Sequence, residues 1–131
     1  MKIVILGAGQ VGTSMAEILS LEANDVTLID RNPNQLEGLQ DRLDIRTIVG
    51  NGPHPGILEQ AGIEDADLLL AVTDQDEVNM AACQIAYSLY RTPKKIARIR
   101  ATEYLTHPEI FCNESIPIDF IISPEQIITQ Q

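Results

Sequence analysis

The chain contains no tryptophan and only three tyrosines and two phenylalanines, so any core it builds is filled by aliphatic side chains. Cysteine is equally scarce. Cys83 and Cys112 lie far apart and fit neither a C-x-x-C pair nor a zinc-ligand spacing, which leaves them as buried or idle thiols of a reducing compartment. Basic residues are few, nine against nineteen acidic ones, for a formal net charge of -10. Such a field repels phosphate backbones and anionic headgroups, arguing against nucleic-acid partners and direct lipid insertion. No stretch approaches the ~18 consecutive apolar residues a spanning helix requires. Met1-Lys2 runs straight into Ile3–Leu6 and glycines, too short an apolar segment for a signal peptide, so a cytoplasmic protein is expected. With 131 residues there is room for one self-supporting domain and none for a separate substrate domain.

What is present is an alternation. Short apolar runs at Ile3–Leu6, Val26–Ile29, Ile45–Val49, Leu68–Val72, Ile96–Ile99 and Phe120–Ile122 read as six strands. Between them, Val11–Leu21, Asn34–Asp41, Gly56–Ala61 and Glu77–Tyr90 read as helices, the last with Val78, Ala82, Ile85, Ala86 and Leu89 on one face. This order predicts an α/β fold: a Rossmann-like, doubly wound, parallel six-stranded sheet with helices on both faces. From Thr102 to Pro117 the pattern breaks into turns and short helical pieces. Ser123-Pro124-Glu125-Gln126 has the form of a helix start, and the chain ends about two turns later. Either the chain is a piece of a longer protein whose helix packs on a partner, or a short terminal helix closes the core.

Gly7-Ala8-Gly9-Gln10-Val11-Gly12 is a G-x-G-x-x-G that follows a predicted strand and opens a predicted helix, the context that gives this motif meaning. Gly7 allows the tight turn, Gly9 lets backbone approach a pyrophosphate, and Gly12 lets helix and sheet pack closely. The amides around Ala8 to Val11 then face an anion at the positive helix end. Asp30 ends the next strand, 18 residues after Gly12, where a carboxylate accepts hydrogen bonds from adenosine ribose hydroxyls. A 2'-phosphate there would meet like charge, which favours NAD or NADH over the phosphorylated forms; Arg31 could soften that repulsion or stack on adenine. The competing view, an Asp that only caps the helix at Asn32-Pro33, explains less of the pattern.

Further candidates lie at the same sheet edge. Asn51-Gly52 either closes over the adenine or forms a plain turn. Thr73 and Asp74 either cap the next helix or also meet the second ribose and the phosphates. Arg98 and Arg100 intrude on a strand expected to be apolar. Spaced two apart they share one side, so Arg100 could reach the pyrophosphate while Arg98 fixes ribose or nearby acids. Alternatively they belong to a solvated edge strand, or Arg98 pairs with Asp74. His54 and His107 sit in proline-rich turns without metal-ligand spacing, and Tyr87, Tyr90 and Tyr104 are assigned to packing.

Taken together, Met1–Gly12, Asp30-Arg31, Val49-Gly50-Asn51-Gly52, Ala71–Asp74, Asn79-Met80, Ile96–Arg100 and Ile122–Gln126 resemble the N-terminal domains of the RCK (KTN) family over essentially the whole chain. Pro53 and Pro55 depart from the turn usual in that family. The resemblance implies a non-enzymatic nucleotide sensor that binds NAD or NADH, with ATP or ADP as possible ligands, and biases the gate of a membrane potassium channel or transporter subunit. It also implies that Gly7 to Val11, Asp30, Thr73, Asp74 and Arg98 contact NAD, and Arg100 a phosphate. The helix begun at Ser123 would then meet other RCK domains in a dimer or higher oligomer, with the protein held at the inner membrane through its partner. The 131 residues would be one RCK N-terminal domain of a longer protein. An NAD-dependent oxidoreductase's cofactor domain is the alternative; a redox-sensing repressor would need a basic DNA-reading element.

Overall fold

A computed structural model describes residues 1–123. Six parallel strands, β1 (Lys2–Leu6), β2 (Asp25–Asp30), β3 (Arg46–Val49), β4 (Leu68–Ala71), β5 (Lys94–Arg98) and β6 (Phe120–Ile122), lie in the order β3-β2-β1-β4-β5-β6. The chain therefore reverses direction of sheet growth between β1 and β4, whose ends are in register at Leu6 and Ala71. A doubly wound sheet opens a crevice at the carboxyl ends of these two strands.

Both faces of the sheet are buried, as parallel strands require. On one face Ile3, Ile5, Val26, Leu28, Leu70 and Val72 pack under helices α1 (Gln10–Leu21), α2 (Pro33–Leu36) and α3 (Leu39–Arg42). On the other, Val4, Leu6, Leu69, Ala71, Ala97 and Ile99 form a cluster with Leu58 of α4 (Pro55–Gln60) and Ala82, Cys83 and Ala86 of α5 (Asp76–Tyr90). Each fully buried Ile or Leu contributes about 2 kcal/mol of transfer free energy, so this aliphatic filling compensates for the missing aromatics. Burial pushes the Cys83 thiol up to about 12, which leaves it inert, while Cys112 is exposed.

Two expectations need correction. The helix over Asn34–Asp41 is two short turns, because Glu37 is extended and Gly38 takes φ 78°, a left-handed conformation that ends α2 and restarts the chain at α3. On α5 the buried residues are Asp76, Asn79, Ala82, Cys83 and Ala86, Tyr90 is half-buried, and Leu89 is 59% exposed. The Tyr90 hydroxyl donates to Glu59 Oε2 at 2.6 Å, a bond that raises its pKa to about 12. β5 is an interior strand, as the main reading of Arg98 and Arg100 supposed, and not the solvated edge strand of the alternative; its most buried polar residue is Lys95, at 2% exposure. The Lys95 ammonium sits 3.1 Å from Asp119 Oδ2, donates to the Thr92 carbonyl at 3.0 Å, and lies 5.0 Å from the centre of the Tyr87 ring.

The segment after β5 is irregular, as expected. Helix α6 (Thr102–Leu105) and a single 3-10 turn at Pro108–Ile110 lead to β6. Tyr104, Leu105, Phe111 and Ile116 from this segment pack on the α5 side of the core. The helix anticipated from Ser123 onward lies outside the described residues. No helix among the described residues is long and apolar enough to cross a membrane.

Candidate functional site

Gly7 occupies φ 107°, and a Cβ there would come within 2.9 Å of the Thr73 amide nitrogen, so the loop after β1 and the loop after β4 touch backbone to backbone. Gly12 is more tightly held: an added Cβ would lie 1.7 Å from the Gly7 carbonyl oxygen. Gly9 differs. It is the N-cap of α1, and a Cβ built on it would meet no protein atom within 4 Å. It borders an open crevice.

The first bond of the α1 ladder runs from the Thr13 amide to the Gly9 carbonyl, at 2.9 Å. The N–H groups of Gln10, Val11 and Gly12 thus precede the ladder, at the positive end of the helix dipole. The first turn of α1 carries no acid of its own, whereas α5 begins with Asp76 and Glu77. Of the two helices meeting at the switch point, only α1 leaves its positive end for an external anion.

Asp30 stands beside the loop that leads into this helix end and lines the same crevice. Its Oδ2 accepts the Ala8 N–H and its Oδ1 accepts the Asn32 N–H, both at 2.8 Å. The Ala8 amide, expected among the anion donors, is therefore committed to Asp30, and the donors that remain begin at Gly9. The helix-capping role belongs to Asn32, whose side chain accepts the Asn34 N–H at 3.0 Å. A carboxylate has about four lone-pair positions, so each Asp30 oxygen keeps one for a sugar hydroxyl.

The crevice, about 370 Å³, is lined by Gly7, Gly9, Gln10 and Val11 on one wall, Asp30, Arg31 and Asn51 at one end, and Thr73, Asp74 and Arg98 at the other. That volume lies within the range of small-molecule sites. Ala8 and Gly12 support the loop from behind and do not line it. Asn51 forms a plain turn, its carbonyl accepting the His54 N–H at 3.0 Å and its side-chain amide 3.2 Å from the His54 ring, and it also lines the crevice. His54 and His107 are exposed. Sequence reasoning missed Asn32, Gln35, Gln75 and Val78, which also line the crevice; Asn32 and Gln75 lie in the loops after β2 and β4 and Gln35 and Val78 on the first turns of the helices that follow, and that place was the available signal.

Neither Thr73 nor Asp74 caps α5; Gln75 holds the N-cap position. The Thr73 hydroxyl turns instead to Asn79 Oδ1, at 2.7 Å. Arg98 lines the crevice with its Nε buried and without a hydrogen-bond partner among the described residues, and it does not pair with Asp74. Such an orphaned donor fits an anionic or oxygen-rich ligand. Arg100 goes elsewhere. β5 ends at Arg98, the Arg100 amide is taken by Asp76 at 3.1 Å, and its guanidinium donates to the Asp74 carbonyl at 2.8 Å. It borders an adjoining hollow with Asp76 and Glu77, which shares Asp74 and Gln75 with the crevice but none of the glycine loop. Two carboxylates, Asp30 and Asp74, and two guanidiniums, Arg31 and Arg98, line the crevice. Its side chains are charge-balanced in an otherwise acidic molecule, which leaves the positive end of α1 as the unbalanced charge at this crevice.

Residues 3–124 match the family model described as the TrkA-N domain. The chain belongs to the TrkA-N family. The Trk system potassium uptake protein TrkA of Halomonas elongata is 59% identical over 129 residues, covering 98% of this chain and 28% of that protein. TrkA of Vibrio alginolyticus is 52% identical over 130 residues, with 98% and 28% covered. This TrkA-N domain therefore spans less than a third of the length of those relatives. Among solved structures, the TrkA-N domain of the inner membrane protein ybaL from Escherichia coli superposes with a TM-score of 0.85 at 18% identity, covering 98% of this chain and 91% of that one. The GsuK channel bound to NAD gives 0.77 at 23% identity, covering 96% and 21%. GsuK bound to ADP also gives 0.77 at 23%, covering 96% and 31%. These likenesses confirm the Rossmann-like architecture.

Proposed function

We propose that this TrkA-N domain binds an adenine dinucleotide, NAD or NADH, with ADP or ATP as alternative ligands of the same loop, and does so as the sensing part of a longer potassium-uptake regulator. One observation carries the reading: the acid-free amino end of α1 and the Asp30 carboxylate line a single crevice. The amides of Gln10 and Val11 hold the diphosphate, and Asp30 holds the adenosine ribose. Arg98 supplies its unpartnered Nε to the far half of the ligand. That GsuK is known in NAD-bound and ADP-bound forms supports a nucleotide of this class.

Binding rather than turnover is the proposed role. Among the described residues, the crevice lining holds no His, Cys, Lys or Tyr to exchange a proton beside a nicotinamide. Ligand energy not used for chemistry can shift a conformational equilibrium, provided the two conformations bind the nucleotide differently. In this reading the full-length protein is cytoplasmic, contacts a membrane potassium channel or transporter subunit, and assembles with other RCK domains through residues from Ser123 onward.

Isothermal titration with NADH, NAD, NADPH, ATP and ADP tests the reading. NADH is expected to bind, NADPH more weakly because its 2'-phosphate approaches Asp30. Asp30→Ala is expected to weaken NADH by about 30-fold, the loss of roughly 2 kcal/mol from hydrogen bonds to a charged group. Unchanged binding by Asp30→Ala contradicts the site, and steady oxidation of NADH by small carbonyl compounds contradicts the sensing role in favour of an oxidoreductase.

A further inference from the structure

Asn79 is fully buried, on the first turns of α5, and does not line the crevice. A buried amide must satisfy both ends, and this one does so through two loops. Its Oδ1 accepts the Thr73 N–H at 3.0 Å and the Thr73 Oγ–H at 2.7 Å; its Nδ2 donates to the Thr73 carbonyl at 3.1 Å and to the Arg98 carbonyl at 2.8 Å. Rotating the amide by half a turn would set an oxygen against two carbonyl oxygens, so the orientation is fixed by the network. The Thr73 hydroxyl has one proton. Its two acceptors within reach, Asn79 Oδ1 at 2.7 Å and the Gln75 carbonyl at 3.2 Å, both belong to the protein. It also accepts the Gln75 N–H at 3.2 Å. What remains for the crevice is a lone pair, and the next residue, Asp74, also lines the crevice.

We infer that Asn79 is a positioning residue which, by taking the Thr73 proton, makes this end of the crevice an acceptor surface and thereby selects a ligand whose second half presents hydroxyl donors over one that ends in phosphate. A second sugar donates to Thr73 Oγ and Asp74. A terminal phosphate would set its oxygens against theirs, with only Arg98 opposite to compensate. The inference rests on the nucleotide reading above and adds to it the class of ligand: a dinucleotide in preference to a nucleoside triphosphate.

The test is the ratio of dissociation constants, ADP over NADH and ATP over NADH, measured by titration on the purified chain and on three variants. The parent chain is expected to favour NADH over both. Thr73→Val removes the lone pair at nearly constant shape and is expected to lower the ADP/NADH ratio about tenfold, the scale of one hydrogen bond; Thr73→Ser restores it. Asn79→Ala removes the nearer acceptor and leaves the Thr73 hydroxyl only the longer contact to the Gln75 carbonyl, at 3.2 Å, so its proton can turn to a ligand phosphate; this variant is expected to lower the ATP/NADH ratio similarly. A purely structural role for Asn79 would weaken all three ligands together and leave the ratios in place, which overturns the inference. Ratios unchanged in Thr73→Val, or a parent chain that prefers ATP, overturn it as well, and Thr73→Val with Thr73→Ser decides the matter if Asn79→Ala does not fold. If none of the three nucleotides binds the parent chain, the nucleotide reading itself falls.

Discussion

Gly9→Ala is expected to abolish measurable NADH binding, a loss of about 100-fold or more, while the protein stays folded. The added Cβ meets no protein atom within 4 Å, and Gly9 lines the crevice, so the contact it is expected to disturb is that of a bound ligand. Gly9 has φ -74° and ψ -162°, an extended conformation alanine adopts without strain. Exchanging Gly for Ala at an N-cap costs less than about 1 kcal/mol. The same change at Gly12 does the opposite. There the Cβ would lie 1.7 Å from a backbone oxygen, and neither β1 nor α1 can yield without unpacking the core between them. Gly12→Ala is expected to destabilise by about 3 kcal/mol and to lose binding through the displaced helix. Thermal melting with NADH titration separates the two: a near-parental melt without binding for Gly9→Ala, a lowered melt for Gly12→Ala. Tight NADH binding by Gly9→Ala would mean that the pyrophosphate does not cross this loop.

The second large effect is at the opposite end of β5. Asp119→Ala removes both the partner of the buried Lys95 ammonium and the acceptor of the Lys95 N–H, a bond of 2.7 Å. The Thr92 carbonyl and the Tyr87 ring do not neutralise the charge. Leaving a buried cation without its counter-ion costs about 3 kcal/mol, and urea unfolding of Asp119→Ala is expected to show a loss of that order. Lys95→Met keeps the aliphatic stem and leaves Asp119, one-third exposed, able to hydrate; its cost is expected near 1 kcal/mol. Equal losses for the two variants would contradict the asymmetry, and with it the view that Asp119 holds the start of β6 against β5.

The parts of this architecture that were legible in the sequence are those where one residue type satisfies a local constraint. Gly7 and Gly12 stand where backbone meets backbone, and the apolar runs at Ile3–Leu6 and Leu68–Val72 sit where both sheet faces are covered. Asp30 could be placed because the distance from strand to strand is set by α1. The rest depended on partners far along the chain. Asn79 reads as an interruption of an apolar face until the Arg98 carbonyl, nineteen positions on, is brought beside it. Lys95 reads as a surface lysine until Asp119, twenty-four positions on, meets it. Arg100 was misplaced because alternation along a strand holds only while the strand lasts, and β5 ends two residues earlier. At Gly38 the helical pattern continued on both sides, and the left-handed backbone that divides α2 from α3 leaves no mark in hydrophobic periodicity.

The most direct measurement is a nitrogen-15 NMR titration of the chain with NADH, following backbone amides to saturation. Shifts concentrated at Gly9, Gln10 and Val11, with Asp30–Asn32 and Thr73 responding at the same ligand concentration, are the predicted result. Saturable shifts confined to the hollow beside Arg100, or to any surface that leaves the start of α1 unmoved, would contradict it.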